Sequence, residues 1–173
     1  MSYVDTSIIV VALDPFDPRQ KLALEALEER GDKEISELVL AELASILSRR
    51  RNVLCEALRK IGVRERTSGT SSPSIYSERF KLKYRRVNCQ GRVSPIGDFY
   101  LPFATAIELS SRFKLKTLDL LHLAYIKTLI AQGEEICELI TIDEDFKREE
   151  ENIKRELEIN VETLSNSLMN ATR

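Results

Sequence analysis

An α/β sandwich built on a parallel sheet is the fold class this sequence predicts, and three observations point to it. Short runs such as YVDTSIIVV near the start and CELITID near the end have the near-continuous apolar character of strands buried on both faces. Longer segments between them, EISELVLAELASILSRR and LKTLDLLHLAYIKTLIAQG, place apolar residues at helical spacing. Strands alternating with helices pair in parallel through crossover connections.

The elements follow in order. Tyr3, Val4, Ile8, Ile9, Val10 and Val11 read as a buried strand running into a second apolar segment, interrupted by Asp5. A carboxylate there is costly unless something pairs with it. In DPFDPRQKLALEALEERG, Asp17 fits an N-cap, Pro18 the first helical position and Gly31 the stop, which predicts a helix from Pro18 to Arg30. Glu34 and Ile35 read as a short strand. Ser36 then caps a helix whose apolar face includes Val39, Leu43, Ile46 and Leu47. A further helix is expected from Asn52 to Ile61, stopping at Gly62.

Between Gly62 and Gly97 the pattern dissolves. ERTSGTSSPS is a loop by composition, and IYSERFKLKYRRVN suits either a basic helix or a hairpin strand. The segment has too few apolar residues for its own core, so residues 1–173 are expected to form one domain with a basic insertion at about 62–97. DFYLPFATAIELSSRF reads as a helix. The next helix is capped by Thr117 and closed by Gly133, with Leu118, Leu121, Tyr125, Ile126 and Leu129 on its buried side. CELITID and LEINVE are the last two strands.

Composition narrows the function classes. At 43% hydrophobic and 31% charged residues, the chain reads as an ordinary soluble globular protein. No apolar run reaches the roughly 18 residues of a membrane span, and no basic region followed by an apolar core opens the chain, so cytoplasmic location and no membrane contact are expected. Cys55, Cys89 and Cys137 are odd in number and far apart, which excludes a disulfide framework and zinc spacing and leaves packing roles. With His122 the only histidine, any metal must be held by carboxylates, which points to Mg²⁺ or Mn²⁺. Charge is uneven: residues 64–92 carry eight basic and two acidic side chains, whereas residues 134–162 carry twelve acids and four bases. The basic segment is either a contact for a polyanion or a solvated loop.

Four acids stand in apolar frames. Asp5 lies near the end of the first strand and Asp143 just past ELITI, where parallel sheets bind ligands; the two face each other if their strands are neighbours. Glu42 sits within LVLAELA, and Asp119 in the first turn of its helix. Two carboxylates about 4 Å apart repel by about 4 kcal/mol at an effective dielectric near 20, and a divalent ion turns that repulsion into attraction. Asp5, Glu42, Asp119 and Asp143 are therefore candidate ligands of a hard cation, which lowers the pKa of bound water and polarises a phosphodiester. With the basic segment, nucleic-acid hydrolysis is the natural reading, with Lys81, Lys83, Arg85 and Arg86 as candidate RNA contacts. Bland roles compete: turn capping for Asp5, and helix-dipole complementation for Glu42 and Asp119. Glu144 and Asp145 compete with Asp143 for the fourth position. Thr141 either orients Asp143 or is a plain strand residue, and His122 is a packing or supporting residue or a general base.

These blocks resemble the PIN-domain family, in particular the VapC-like toxin ribonucleases. The resemblance rests on YVDTSIIV, SELVLAELASIL with Glu42, LDLLHLAYI with Asp119 and His122, and LITIDEDF with Asp143 and Phe146, in that order. It implies a three-layer α/β/α fold with a central parallel sheet. It also implies a Mg²⁺- or Mn²⁺-dependent endoribonuclease that leaves a 5′-phosphate and a 3′-hydroxyl, with Asp5, Glu42, Asp119 and Asp143 as its acid cluster. A small antitoxin in the active-site groove and a homodimer are the partners it implies, beside RNA. The chain departs from the compact toxins by its basic segment. The alternative reading is a catalytically inactive PIN-like module that binds RNA or protein. A small-molecule phosphohydrolase is a weaker match, because residue 7, where aspartyl-phosphate enzymes have a second acid, is Ser7.

Overall fold

Hydrogen bonding among five short parallel strands sets the architecture of the computed structural model, which describes residues 1–29, 31–49 and 79–164. In chain order the elements are β1 (Ser2–Val4), α1 (Thr6–Leu13), α2 (Gln20–Glu29), β2 (Lys33–Ile35), α3 (Glu37–Arg49), β3 (Lys83–Tyr84), β4 (Gln90–Val93), β5 (Gly97–Tyr100), α4 (Leu101–Leu109), α5 (Thr117–Ala131), β6 (Glu138–Thr141), α6 (Glu144–Arg148), α7 (Glu150–Leu157) and β7 (Asn160–Thr163). The sheet order is β3-β2-β1-β6-β7, with every pairing parallel. Helices flank this sheet to give a three-layer α/β/α fold. The chain runs outward from β1 to β3 and then returns to lay β6 against the other side of β1. That reversal creates a crevice at the carboxyl ends of β1 and β6.

The strands are short because burial, not length, holds them. Tyr3, Val4, Ile35, Leu139 and Ile140 are almost fully buried. The register sets Val4 against Ile140, so Asp5 and the residues after Thr141 leave the sheet side by side.

Several local expectations are corrected. The apolar run after Val4 is the helix α1, with Asp5 at its N-cap, not a continued strand. Ile8, Ile9 and Val11 prefer strands, but burial of this helix overrides propensity. Residues 97–100 pair with β4 as a hairpin, and the helix begins only at Leu101, with Pro102 in its first turn. Lys83 and Tyr84 form a parallel edge strand on β2, neither a helix nor half of a hairpin. Helices α6 and α7 fill the acidic stretch between β6 and β7, burying Phe146, Ile153 and Leu157, and were not foreseen. The second helix starts at Gln20, not Pro18. Asp17 caps the turn ahead of it, its Oδ1 accepting from the Arg19 amide at 2.8 Å. Lys116, not Thr117, is the N-cap of α5. Leu118 is half-exposed and Cys137 is exposed, so neither is a core residue. The expected helix over 52–61, the ERTSGTSSPS loop, Cys55, Arg64 and Arg66 lie outside the described residues.

The basic segment is tied to acids elsewhere in the chain. Arg79 pairs with Glu28 at 2.6 Å and Lys83 with Asp32 at 2.6 Å. Arg85 Nε donates to Glu34 at 2.8 Å, and its Nη2 lies 3.2 Å from Glu134. Glu34 is fully buried at 0% exposure, so removing Arg85 strands a carboxylate inside the protein. Arg85→Ala is expected to lower the unfolding free energy in urea by about 2–3 kcal/mol, the low side of a broken buried pair because Arg85 is partly exposed. Arg86→Ala, with no ion pair among the described residues, is expected to change it by less than about 0.5 kcal/mol.

Candidate active site

Four separate elements deliver the acids to one cleft of about 410 Å³. Asp5 comes from the end of β1, Glu42 from α3, Asp119 from the first turn of α5 and Asp143 from the end of β6. All four acids singled out in the sequence therefore line a single crevice, which also includes Asp14, Asp17, Arg19 and His122. Its lining also holds polar groups not read as part of a site from the sequence: Asp14, Arg19, bound to Asp17 at 2.8 Å, and the hydroxyls of Thr6 and Ser7. The signal for the hydroxyls was present, since Thr6 and Ser7 directly follow the strand-end Asp5.

One half of the cleft is internally compensated. Asp5 is 5% exposed, and its Oδ2 accepts from Ser7 Oγ at 2.5 Å and Thr141 Oγ1 at 2.7 Å. Thr141 thus orients Asp5 by its hydrogen bond. It meets Asp143 only through that residue's backbone, accepting from the Asp143 amide at 3.0 Å. Glu42 Oε2 accepts from Thr6 Oγ1 at 2.5 Å. His122, 2% exposed, joins the two acids: its Nε2 lies 3.0 Å from Glu42 Oε2 and 3.3 Å from Asp5 Oδ1. Two carboxylates on Nε2 require the proton there. Nδ1 lies 3.1 Å from the Tyr3 hydroxyl, which also bonds Ser36 Oγ at 2.7 Å. Burial alone would lower the His122 pKa; Asp5, Glu42 and Asp119 outweigh it and raise it. Glu42 is held below its usual value despite burial, chiefly by His122.

The other half is not compensated. Asp119 is half-buried, and its Oδ2 is shielded from solvent with no hydrogen-bond donor among the described residues. Burial raises its pKa, and the neighbouring Asp143 raises it further. Asp143 caps α6, its Oδ1 accepting from the Asp145 amide at 2.8 Å. One carboxylate oxygen each from Asp119, Asp143 and Asp145 lie within 4.8 Å of one another. Asp145 is bound to Lys116 and Arg148 at 2.6 Å each and stays outside the cleft lining, and Glu144 is exposed. Among the three acids of this block, Asp143 is the one in the crevice.

An orphaned buried carboxylate oxygen beside further carboxylates is the feature a hard cation satisfies, and the oxygen-rich donor set suits Mg²⁺ or Mn²⁺. The residues present fit such an ion. Of the candidate RNA contacts, Lys83 and Arg85 are held by acids, while Lys81 and Arg86 make no ion pair among the described residues.

An α/β/α domain with carboxylates gathered at the switch point of its sheet defines a recognisable class. The PIN-domain family model matches residues 2–152, and this chain belongs to that family. Among solved structures, it is similar to the VapC20 toxin of Mycobacterium tuberculosis, described as cleaving the sarcin-ricin loop, at 18% identity and a TM-score of 0.52, covering 86% of this chain and 94% of that one. It is similar to VapBC2 of Rickettsia felis, solved on a fragment of its promoter DNA, at 20% identity and a TM-score of 0.54, covering 95% of this chain and 100% of that one. It is similar to FitAcB of Neisseria gonorrhoeae at 16% identity and a TM-score of 0.52, covering 93% and 96%. At these identities the likeness is one of fold. No curated protein matches the sequence.

The uncompensated charge makes a stability prediction. A carboxylate whose folded pKa is raised destabilises the native state once ionised, and protonation relieves the penalty as pH falls. Asp119→Asn is therefore expected to raise the melting temperature of the metal-free protein at pH 7. The gain should shrink as pH drops through the raised folded pKa and vanish below the ordinary carboxylate range. Differential scanning calorimetry in chelator across pH checks it, and an unchanged or lower melting temperature at pH 7 contradicts it.

Proposed function

We propose that this chain is a metal-dependent endoribonuclease that hydrolyses RNA phosphodiester bonds, and that it is the toxin of a toxin–antitoxin pair. The observation that carries the reading is the meeting of Asp5, Glu42, Asp119 and Asp143 in one cleft of a PIN-domain chain, with a buried Asp119 oxygen left without a donor among the described residues. Asp5, Glu42, Asp119 and Asp143 would hold Mg²⁺ or Mn²⁺. A bound ion would supply an activated water and neutralise phosphodiester charge. Thr141 and Ser7 fix the Asp5 carboxylate so that its orientation does not depend on the substrate. His122 keeps a proton between Asp5 and Glu42, which lowers the repulsion of bringing them together. Lys81 and Arg86, which make no ion pair among the described residues, would supply cationic contacts for the strand, whereas Arg19 in the cleft lining is held by Asp17.

The toxin role is supported by the VapBC2 and FitAcB complexes among the structures of like fold. A cleft with six carboxylates among its lining residues suits an antitoxin segment with basic side chains. A homodimer and a cytoplasmic location are part of the same reading.

Incubation of tRNA and rRNA with the protein is expected to give cleavage that chelator stops and Mn²⁺ or Mg²⁺ restores. Asp5→Asn and Glu42→Gln should each reduce it by more than about 100-fold, since even residues that merely support metal ligands cost about 10–100-fold. Cleavage that persists in chelator, or at the wild-type rate in Asp5→Asn, contradicts the assignment.

A further inference from the structure

A second cleft, of about 570 Å³, opens beyond the carboxyl ends of β2 and β3 and takes no part in the acid cluster. Tyr84, Tyr100 and Tyr125 form much of its lining, together with Glu37, Arg86 and Asn88. Tyr100 and Tyr125 meet edge to face, with ring centroids 6.3 Å apart at 66°. Tyr84, on the edge strand, is 45% exposed and offers an aromatic surface to solvent.

The polar groups of this cleft are unevenly matched. Glu37 Oε1 accepts from the Val87 amide and from the Tyr100 hydroxyl, each at 3.1 Å. Its Oε2 is buried and receives no hydrogen bond among the described residues. A buried carboxylate oxygen without a donor is uncompensated. Arg86 lines the same cleft and forms no ion pair with any described residue.

A ligand that fits must offer a flat π face, N–H donors along one edge for Glu37, and paired acceptors along another for an arginine fork. Guanine has all three: donors at N1 and N2, and acceptors at O6 and N7. Adenine lacks the acceptor pair, and cytosine and uracil offer a smaller face. Unpaired RNA bases are held in this manner, stacked on tyrosine and read along their edges.

We propose that this cleft is a guanine-binding subsite that seats an unstacked base of the RNA strand beside the acid cluster. The proposal rests on the nuclease reading for the source of the base. The two clefts are joined through buried side chains. Ser36 precedes Glu37, His122 lies one turn before Tyr125, and the Tyr3 hydroxyl bonds both Ser36 and His122, at 2.7 and 3.1 Å. Along α5, Asp119 and Tyr125 are separated by about 9 Å of helix, a span that neighbouring nucleotides of one strand bridge.

Calorimetric titration with GMP and with AMP, both in chelator, reads the subsite apart from metal and cleavage. GMP is expected to bind at least about tenfold more tightly than AMP, the scale of one good base-edge pairing. Glu37→Gln should lower GMP affinity by about tenfold, and Tyr84→Ala, at an exposed position that the fold tolerates, by about the same through lost stacking. Equal affinity for the two nucleotides, binding of neither at millimolar concentration, or an intact GMP preference and affinity in Tyr84→Ala overturns the proposal. Short RNAs carrying a single guanine, or adenine in its place, separate the two readings when incubated with Mn²⁺. No cleavage of either, nor of tRNA and rRNA, with the GMP preference present, refutes the nuclease and upholds the base subsite. Equal cleavage of both, with no nucleotide preference, removes the subsite and upholds the nuclease.

Discussion

Parallel pairing of β1 with β6 forces Asp5 and Asp143 to leave the sheet next to each other, and the rest of the site is a response to that enforced proximity of like charge. The response is asymmetric. Around Asp5 and Glu42 the protein supplies its own compensation, with three hydroxyls and a buried imidazole that carries its proton towards both carboxylates. Around Asp119 and Asp143 the cleft offers little beyond one backbone amide and a nearby Lys116 that is already committed to Asp145. Charge is stabilised where orientation matters and left uncompensated on the opposite side. That is the division expected of a crevice whose function is to attract a cation.

Most of the fold was legible because it depends on local pattern. The apolar stripe of α3, the strand ELIT and the long helix from Thr117 follow from periodicity, and the order of strands and helices gives a parallel sheet. The misreadings have two causes. Ile8, Ile9 and Val11 look like a strand because β-branched residues favour one, yet the turn after Asp5 and burial on several sides make a helix. Helices α6 and α7 were hidden by charge: EDFKREEENIKREL shows few apolar residues, and only the spacing of Phe146, Ile153 and Leu157 reveals a buried face.

The site was legible in its residues and less so in its chemistry. Isolated acids in apolar surroundings single themselves out by their desolvation cost, and the four that stood out line one cleft. Pairing across the chain was not readable. The basic segment reads in the sequence as either a polyanion contact or a solvated loop, yet Lys83 and Arg85 are held by Asp32, Glu34 and Glu134, residues about fifty positions away in either direction that only the parallel β2–β3 edge and the fold around it bring close. Likewise, Thr141 reads in the sequence as either an orienting partner of Asp143 or a plain strand residue, whereas its hydroxyl donates to Asp5 and meets Asp143 only by accepting from its backbone amide.

The central claim is that these carboxylates form a site for a divalent ion, and direct binding of Mn²⁺ tests it without any assumption about substrate. Titration of the full chain with Mn²⁺, followed by loss of the free-ion electron paramagnetic resonance signal, should show saturable binding below millimolar concentration that Asp119→Asn abolishes. Wild-type protein that leaves the free-ion signal undiminished at millimolar Mn²⁺ would contradict the account.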